Sequence, residues 1–434
     1  MKIMLKIKYP LAHSAVFWQI VAKYRLRKGK EDSERVREKF GFASKSAIEK
    51  LEKFSKNDGG DDVIWVHAVS VGESLSTIGL IRKICENGYF VLLTTTTLTS
   101  ARIVEGRLPE RAVHQFCPYP STKYFKRFTS TWKPSKTLFT ESEIFPNVVK
   151  LLKKKNIPVY LINARMSENS FNMWKKVKLY IKPVLNCYTK IFPQSNVEAN
   201  KFVALGYDEK KIKCYGNLKV DATVDAIKNA TITDEDEVKF ELLKKQISNQ
   251  RVVVYGSPHK EEFFYLVWQQ TMLMRKTLTG CVGIFVPRYM EEVQELVDLF
   301  RKNDIEPLLY SELTEKKLAQ VIIVDKMGLL LKLYELGDFA VVCGNFAEHI
   351  GGHNPIEPVA LSKPTLVGPY CEKSKDIVAT LLAENAVIQT MTVCEDIDLL
   401  IKNDKIDEMK ANCKRFMDKN GGAVEKIFES IFLI

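Results

Sequence analysis

The stretch GGHNPIEP at 351–358 sets two glycines, a histidine and an asparagine ahead of a proline and a glutamate. Asn354 suits the N-cap of a helix and Pro355 its first turn. The preceding glycines, Gly352 among them, free the backbone for a close approach. A helix start of this kind presents amide groups that attract phosphate. Glu357 falls in the first turn, placed to accept hydrogen bonds from a ribose. The plain alternative is a capped helix with no ligand. A second candidate is HAVSVGE at 67–73, where Gly72 permits a tight turn and Glu73 follows at a helix start. A carboxylate there serves either as a general base or as an ordinary partner of the helix dipole. TESEIFPN at 140–147 places Glu141 and Glu143 just past an apolar run. Carboxylates in that position are harder to dismiss as solvated surface.

The elements that position these residues follow a regular alternation. DVIWVHAVS, YFVLLTTTT, KTLFTES, IPVYLINAR and KIFPQS are short runs rich in β-branched and aromatic residues, with helix-like segments between them. Continuous apolar strands separated by helices predict a parallel sheet covered on both faces. The alternation pauses in a polar passage and resumes with RVVVYGSPH, GCVGIFVPR, QVIIVDK, FAVVCGNF and PTLVGP. Two α/β halves follow: a first domain over 41–217, a linker over 218–236, and a second domain over 237–434. The last helix belongs either to that second domain or back on the first. In such sheets ligands bind beyond the carboxyl ends of strands, where all the motifs above fall.

Bulk properties narrow the classes. A chain of 434 residues predicts two domains, and 46% hydrophobic with 27% charged residues reads as foldable. The nine cysteines are scattered with no CxxC pair, which argues against a disulfide framework or a zinc site. No GxGxxG follows a strand and no P-loop is present, which argues against a dinucleotide enzyme or a P-loop NTPase. The net charge of +12 suits nucleic acid, an anionic membrane or a phosphorylated substrate alike. No run reaches the roughly 20 apolar residues of a membrane span. Residues 1–30 mix large apolar side chains with eight lysines and arginines and no acid. Residues 1–40 therefore read as a membrane-associating segment lying in a lipid interface, with a helix packed on the protein body as the alternative.

In their order, HAVSVGE, TESEIFPN, INARMS, GNLKVD, FVPR and GGHNPIEP closely resemble the 3-deoxy-D-manno-oct-2-ulosonic acid (Kdo) transferases of lipopolysaccharide synthesis. The similarity runs from about Arg27 to Tyr370. It implies a GT-B fold, with two Rossmann-like domains facing a central cleft. It implies transfer of Kdo from CMP-Kdo to a lipid A precursor, with inversion and with neither metal nor cofactor. The place of action would be the cytoplasmic face of the inner membrane, peripheral or monotopic, with an anionic lipid surface and no nucleic acid as partner. Glu73 matches the family's base; Glu141 and Lys219 match positions assigned to transition-state stabilisation. A fixed ammonium suits a leaving phosphate that gains charge. Arg288, Tyr289, Met327, Gly328, Leu329, Gly352, Asn354, Pro355, Ile356 and Glu357 match or adjoin nucleotide contacts. His259 and Glu262 match a pattern beside the phosphate. Ser70, Gly72 and Arg165 fall on the acceptor side, and Asn163 with Arg165 equally suits a structural brace.

Four positions depart from the pattern, all in the second half: Tyr289 for a common histidine, Leu329 for an acid, Cys343-Gly344-Asn345 for Gly-Gly-Ser, and Tyr370 for a histidine. They leave room for another GT-B transferase with a different nucleotide-sugar. A non-catalytic basic α/β protein that holds lipid or nucleic acid is the remaining alternative.

Overall fold

The computed structural model describes residues 15–58, 62–276, 281–315 and 319–433. The apolar runs form two parallel sheets. The first comprises β1 (Val63–His67), β2 (Phe90–Thr95), β3 (Ala112–Phe116), β4 (Lys136–Thr140), β5 (Val159–Ala164) and β6 (Lys190–Pro193), in the order β3-β2-β1-β4-β5-β6. The second comprises β7 (Arg251–Gly256), β8 (Cys281–Val286), β9 (Leu308–Leu309), β10 (Val321–Ile323), β11 (Phe339–Val342), β12 (Thr365–Val367) and β13 (Val387–Gln389), in the order β13-β12-β11-β7-β8-β10-β9. Each sheet has an inner pair where the strand order reverses, β1/β4 in the first and β7/β11 in the second, and in the second β9 lies outside β10 at the edge. Such a reversal opens a crevice at the strands' carboxyl ends.

The strands lack polar alternation because both faces are covered. On one face of the first sheet Trp65, Phe139 and Leu161 pack with Phe128 and Trp132. On the other, Ile64, Val66, Leu138 and Ile162 pack under the helix Val71–Glu86. The second sheet is sandwiched in the same way, with Val253 and Val341 on one face and Val252, Val254 and Ala340 on the other.

The chain divides into two compact units. One runs to Ala222 and takes up Asn420–Ile434 again; the other is Thr223–Lys419. The helix Ala423–Phe432 lies on the first sheet, burying Ala423, Ile427, Phe428 and Ile431. Asp221 fixes its start by accepting from the Gly422 and Val424 amides at 2.7 and 2.6 Å. The passage expected as a linker over 218–236 is instead largely helical. Leu218–Lys228 forms a helix, with the unit boundary inside it, and Asp234–Gln246 begins another.

The segment expected to associate with membrane lies partly outside the described residues, which begin at 15. From there to residue 40 it is built into the first unit, and residue 40 marks no boundary. The helix Ala15–Arg27 buries Trp18 and Ala22, with Trp18 stacked on Tyr119 at 5.0 Å. Glu31, 6% exposed, receives Arg25, Lys39 and the Tyr119 hydroxyl. Satisfied carboxylates and stacked aromatics of this kind hold a segment on a protein body. Among the described residues, no helix is long and apolar enough to cross a membrane.

Candidate active site

At the β1/β4 reversal of the first sheet, two carboxylates are held in different ways. Glu73 stands in the first turn of the helix Val71–Glu86, capped by Ser70, whose Oγ accepts from the Glu73 amide. Its side chain turns back. Glu73 Oε2 accepts from the Val69 amide and from Thr140 Oγ1, both at 3.0 Å, and among the described residues Oε1 accepts only from Ser70 Oγ, at 2.9 Å. Thr140 ends β4, so a strand-end hydroxyl locks a helix-start carboxylate across the crevice. Oε1 is the less engaged oxygen, bonded to a hydroxyl that can rotate away.

Glu141 is 2% exposed and holds two cations, Arg165 Nε at 2.6 Å and Lys219 Nζ at 2.8 Å. Its backbone is left-handed, at φ 50°, and so is that of Asn163, also at φ 50°. Such a conformation costs a bulky residue of order 1–3 kcal/mol and persists where surrounding contacts enforce it. Here they do: the Glu141 amide donates to Ile162 O, and the Arg165 amide donates to Glu141 O. Asn163 Oδ1 accepts from the Leu218 amide at 3.0 Å, and Asn217 Oδ1 accepts from the Lys219 amide at 3.0 Å. Lys219 is thus a first-turn lysine set against a buried carboxylate. Asn163 proves to be the brace, while Arg165 points at Glu141.

Glu143, half-buried two residues on, completes a cluster of three carboxyls. Burial first, and then the charges of Glu73 and Glu141, push its carboxyl up to about 8. His67 lies beneath, against Phe139 and Phe145. Its Nδ1 donates to Thr94 O at 3.0 Å, and burial lowers its pKa to about 4, so the ring is neutral. Its buried Nε2 has no partner among the described residues. Gly72 differs from expectation: it sits within the helix without a positive φ, and a Cβ there would meet nothing within 4 Å. It makes no tight turn and leaves open space beside Glu73.

At the β7/β11 reversal of the second sheet, His259 and Glu262 follow β7, and the 351–354 loop follows β11. Glu262 is 1% exposed. It accepts from the His259 amide at 3.1 Å, the Gly344 amide at 2.8 Å and the Phe346 amide at 2.9 Å. Its role is to tie the two loops together. His259 meets His353 through their Nε2 atoms at 2.9 Å, a contact that sequence reasoning missed. Tyr289, 44% exposed, stands edge-on to His259 at 5.5 Å. Arg288 donates its amide to Pro258 O at 3.0 Å, which brings β8's end to the same corner.

The helix after GGHNPIEP is shorter than its cap signals suggest, spanning only Ile356–Ala360. Asn354 Oδ1 already takes the Ile356 amide at 3.1 Å, so this amide is not free for phosphate. Ile356 and Pro355 are buried, Gly352 is left-handed at φ 85°, and burial pushes the Glu357 carboxyl up to about 7. Met327 is exposed and Gly328, at φ 90°, opens onto free space. Leu329 instead buries its side chain in the core, leaving only its backbone for a ligand. Of the departing residues, Cys343 is a core side chain and Asn345 Oδ1 accepts from the Gly368 amide at 2.7 Å. Both stabilise the loop from within.

A sequence profile described as 3-deoxy-D-manno-octulosonic-acid transferase (kdotransferase) matches residues 34–222. A 3-deoxy-D-manno-octulosonic acid transferase of Rickettsia typhi is 30% identical over 82% of this chain and 76% of its own length. One of Rickettsia bellii is 27% identical over 94% of each. A solved glycosyltransferase structure from Rickettsia africae superposes with a TM-score of 0.55 at 13% identity, covering 85% of this chain and 97% of that one. That likeness speaks to fold, an α/β architecture of GT-B type. By relatedness extending across most of both sequences, the chain belongs to the 3-deoxy-D-manno-octulosonic acid transferase family and is a glycosyltransferase.

Proposed function

We propose that the protein transfers Kdo from CMP-Kdo to a hydroxyl of a lipid A precursor in lipopolysaccharide synthesis, by a single inverting displacement without metal. The observation that carries this reading is the paired treatment of two carboxylates at one sheet reversal. Glu73 keeps a lightly engaged oxygen, and Glu141 is fully committed to Lys219 and Arg165. Glu73 Oε1 takes the acceptor's proton as that oxygen attacks the anomeric carbon. The bond from that carbon to the phosphate oxygen breaks, and CMP leaves with the electron pair. Fixed cations suit the growing charge on the phosphate. Glu141 positions Lys219 and Arg165 for that task rather than touching the sugar itself.

An anionic lipid face at the inner membrane suits the acceptor. The helices Glu168–Lys176 and Lys178–Leu185 support it. Leu179 is 94% exposed and Val177 45% exposed, set among the exposed Lys175, Lys176, Lys178 and Lys182. Apolar side chains among lysines favour a charged interface.

The test is an assay with detergent-solubilised lipid A precursor and CMP-Kdo generated in place, with chelator present. Wild type is expected to form product, and Glu73→Gln to lose about 10²–10⁴-fold in kcat, the range of a general base. Product at wild-type rate from Glu73→Gln would remove the base assignment. No product from wild type that binds CMP would remove the acceptor.

A further inference from the structure

The second unit pairs His259, which the family resemblance sets beside the phosphate, with His353, to which none of the roles above assigns a purpose. His259 is delivered by a left-handed Ser257 at φ 57° after β7. His353 is delivered by the glycine-rich loop after β11. Their rings lie 5.1 Å apart at 12°, with Nε2 facing Nε2 at 2.9 Å. The seat for His353 requires Gly344, at φ 79°, because a Cβ there would stand 2.6 Å from the ring's Cδ2. Glu262 anchors both loops from below through backbone amides alone.

An Nε2···Nε2 contact at this distance holds one proton. One nitrogen donates and the other must accept. The pair is therefore either neutral or singly charged, and a second charge would break the bond. The groups around it decide which. Arg288 and Lys373 both face the pair and lower both imidazoles, with burial as the larger cause. Lys373 lies across Gly351, whose added Cβ would meet its Cγ at 3.0 Å. Glu261 favours the charged form of His259, Glu262 has its oxygens on amides, and Tyr289 offers only a ring edge. His353 is held at about 4. The pair is neutral near pH 7, beside two cations that have no carboxylate partner among the described residues. An arriving anion reverses that balance, by neutralising the cations and by favouring positive charge on the pair.

We propose that the His259–His353 pair is a proton-accepting seat for the donor's phosphate, so that binding the phosphate and taking up one proton are a single event. The inference rests on the nucleotide-donor reading above. The proton comes from solvent on binding and stays on the pair. It then faces a phosphate that gains one negative charge as its bond to the sugar breaks, and it returns to solvent when CMP leaves.

The experiment is calorimetric titration of the full chain with CMP at pH 7.5, in two buffers of different ionisation enthalpy. The phosphate's own second pKa, about 6, leaves CMP largely dianionic at that pH. UMP is titrated in parallel. Wild type is expected to take up about half to one proton per CMP bound. The double variant His259→Gln/His353→Gln keeps two hydrogen-bonding amides and has no imidazole left to titrate, whereas either single variant leaves one. The double variant is expected to take up none and to bind CMP about tenfold or more weakly. Near-UV circular dichroism confirms that the double variant is folded, and the single variants, each expected to take up less than wild type, carry the test where it is not. CMP binding without proton uptake, or with uptake unchanged in the variants, overturns the pair and leaves the donor reading intact. UMP binding with uptake where CMP fails keeps the pair and overturns the donor. Failure of both nucleotides to bind folded wild type overturns both.

Discussion

Glu143 shows how much one residue's state depends on neighbours remote in sequence. Its carboxyl is raised from 4.5 to about 8 by burial and by Glu73 and Glu141. At neutral pH it is mostly protonated, which keeps a third negative charge out of the cluster. The folded value lies above the unfolded one. The stability that the protonated form contributes is therefore complete below about 4.5 and is lost as pH rises through about 8. Glu143→Gln, which mimics the protonated form, is expected to flatten the decline of Tm between pH 5 and pH 8 and to stabilise most at the upper end. Thermal melts across that range check this, and superimposable profiles would refute it. The sequence marked Glu73 and Glu141 as chemical residues, because carboxylates at strand ends and helix starts stand out, and Lys219 only through the family resemblance. It did not mark Thr140, His353 or Lys373. Their significance lies in contacts with residues dozens of positions away, and no local spacing encodes that.

At the scale of elements, the parallel strands were legible because burial on both faces makes them continuous apolar runs. The helix Leu218–Lys228 was not legible. Its Asp221 reads as part of a polar passage, yet its partners are the Gly422 and Val424 amides, about 200 positions later. The same holds at the other end, where Trp18, one of the aromatics that suit a lipid interface, stacks on Tyr119. Asp221 caps the helix Ala423–Phe432 from outside. Asp221→Ala is expected to cost about 1 kcal/mol, the usual loss of an N-cap, and to act by loosening that helix from the first sheet. Urea unfolding measures the cost. Hydrogen exchange faster in 423–432 than in wild type locates it, and uniform exchange across the chain would refute the assignment.

At the scale of the whole molecule, the charge of +12 was legible in the composition, and its use was not. The lysines around the exposed Leu179 give it a place to act. Sedimentation with vesicles is expected to show binding to anionic lipid and little to zwitterionic lipid. Binding should be lost as salt rises toward ~1 M, where the screening length falls to about 3 Å. Leu179→Glu is expected to weaken it at low salt. Equal binding to both vesicle types would refute a charged docking face. The placement of Ala423–Phe432 on the first sheet also governs how the protein is made. During synthesis the first sheet and the helix Val71–Glu86 over it emerge early, but the apolar surface beside them that receives Ala423, Ile427, Phe428 and Ile431 waits for cover until some 200 further residues of the other unit have been translated. Throughout that interval the nascent chain carries an open apolar face, which makes it a natural client for ribosome-associated chaperones. A premature stop anywhere in the second half would leave that face open for good.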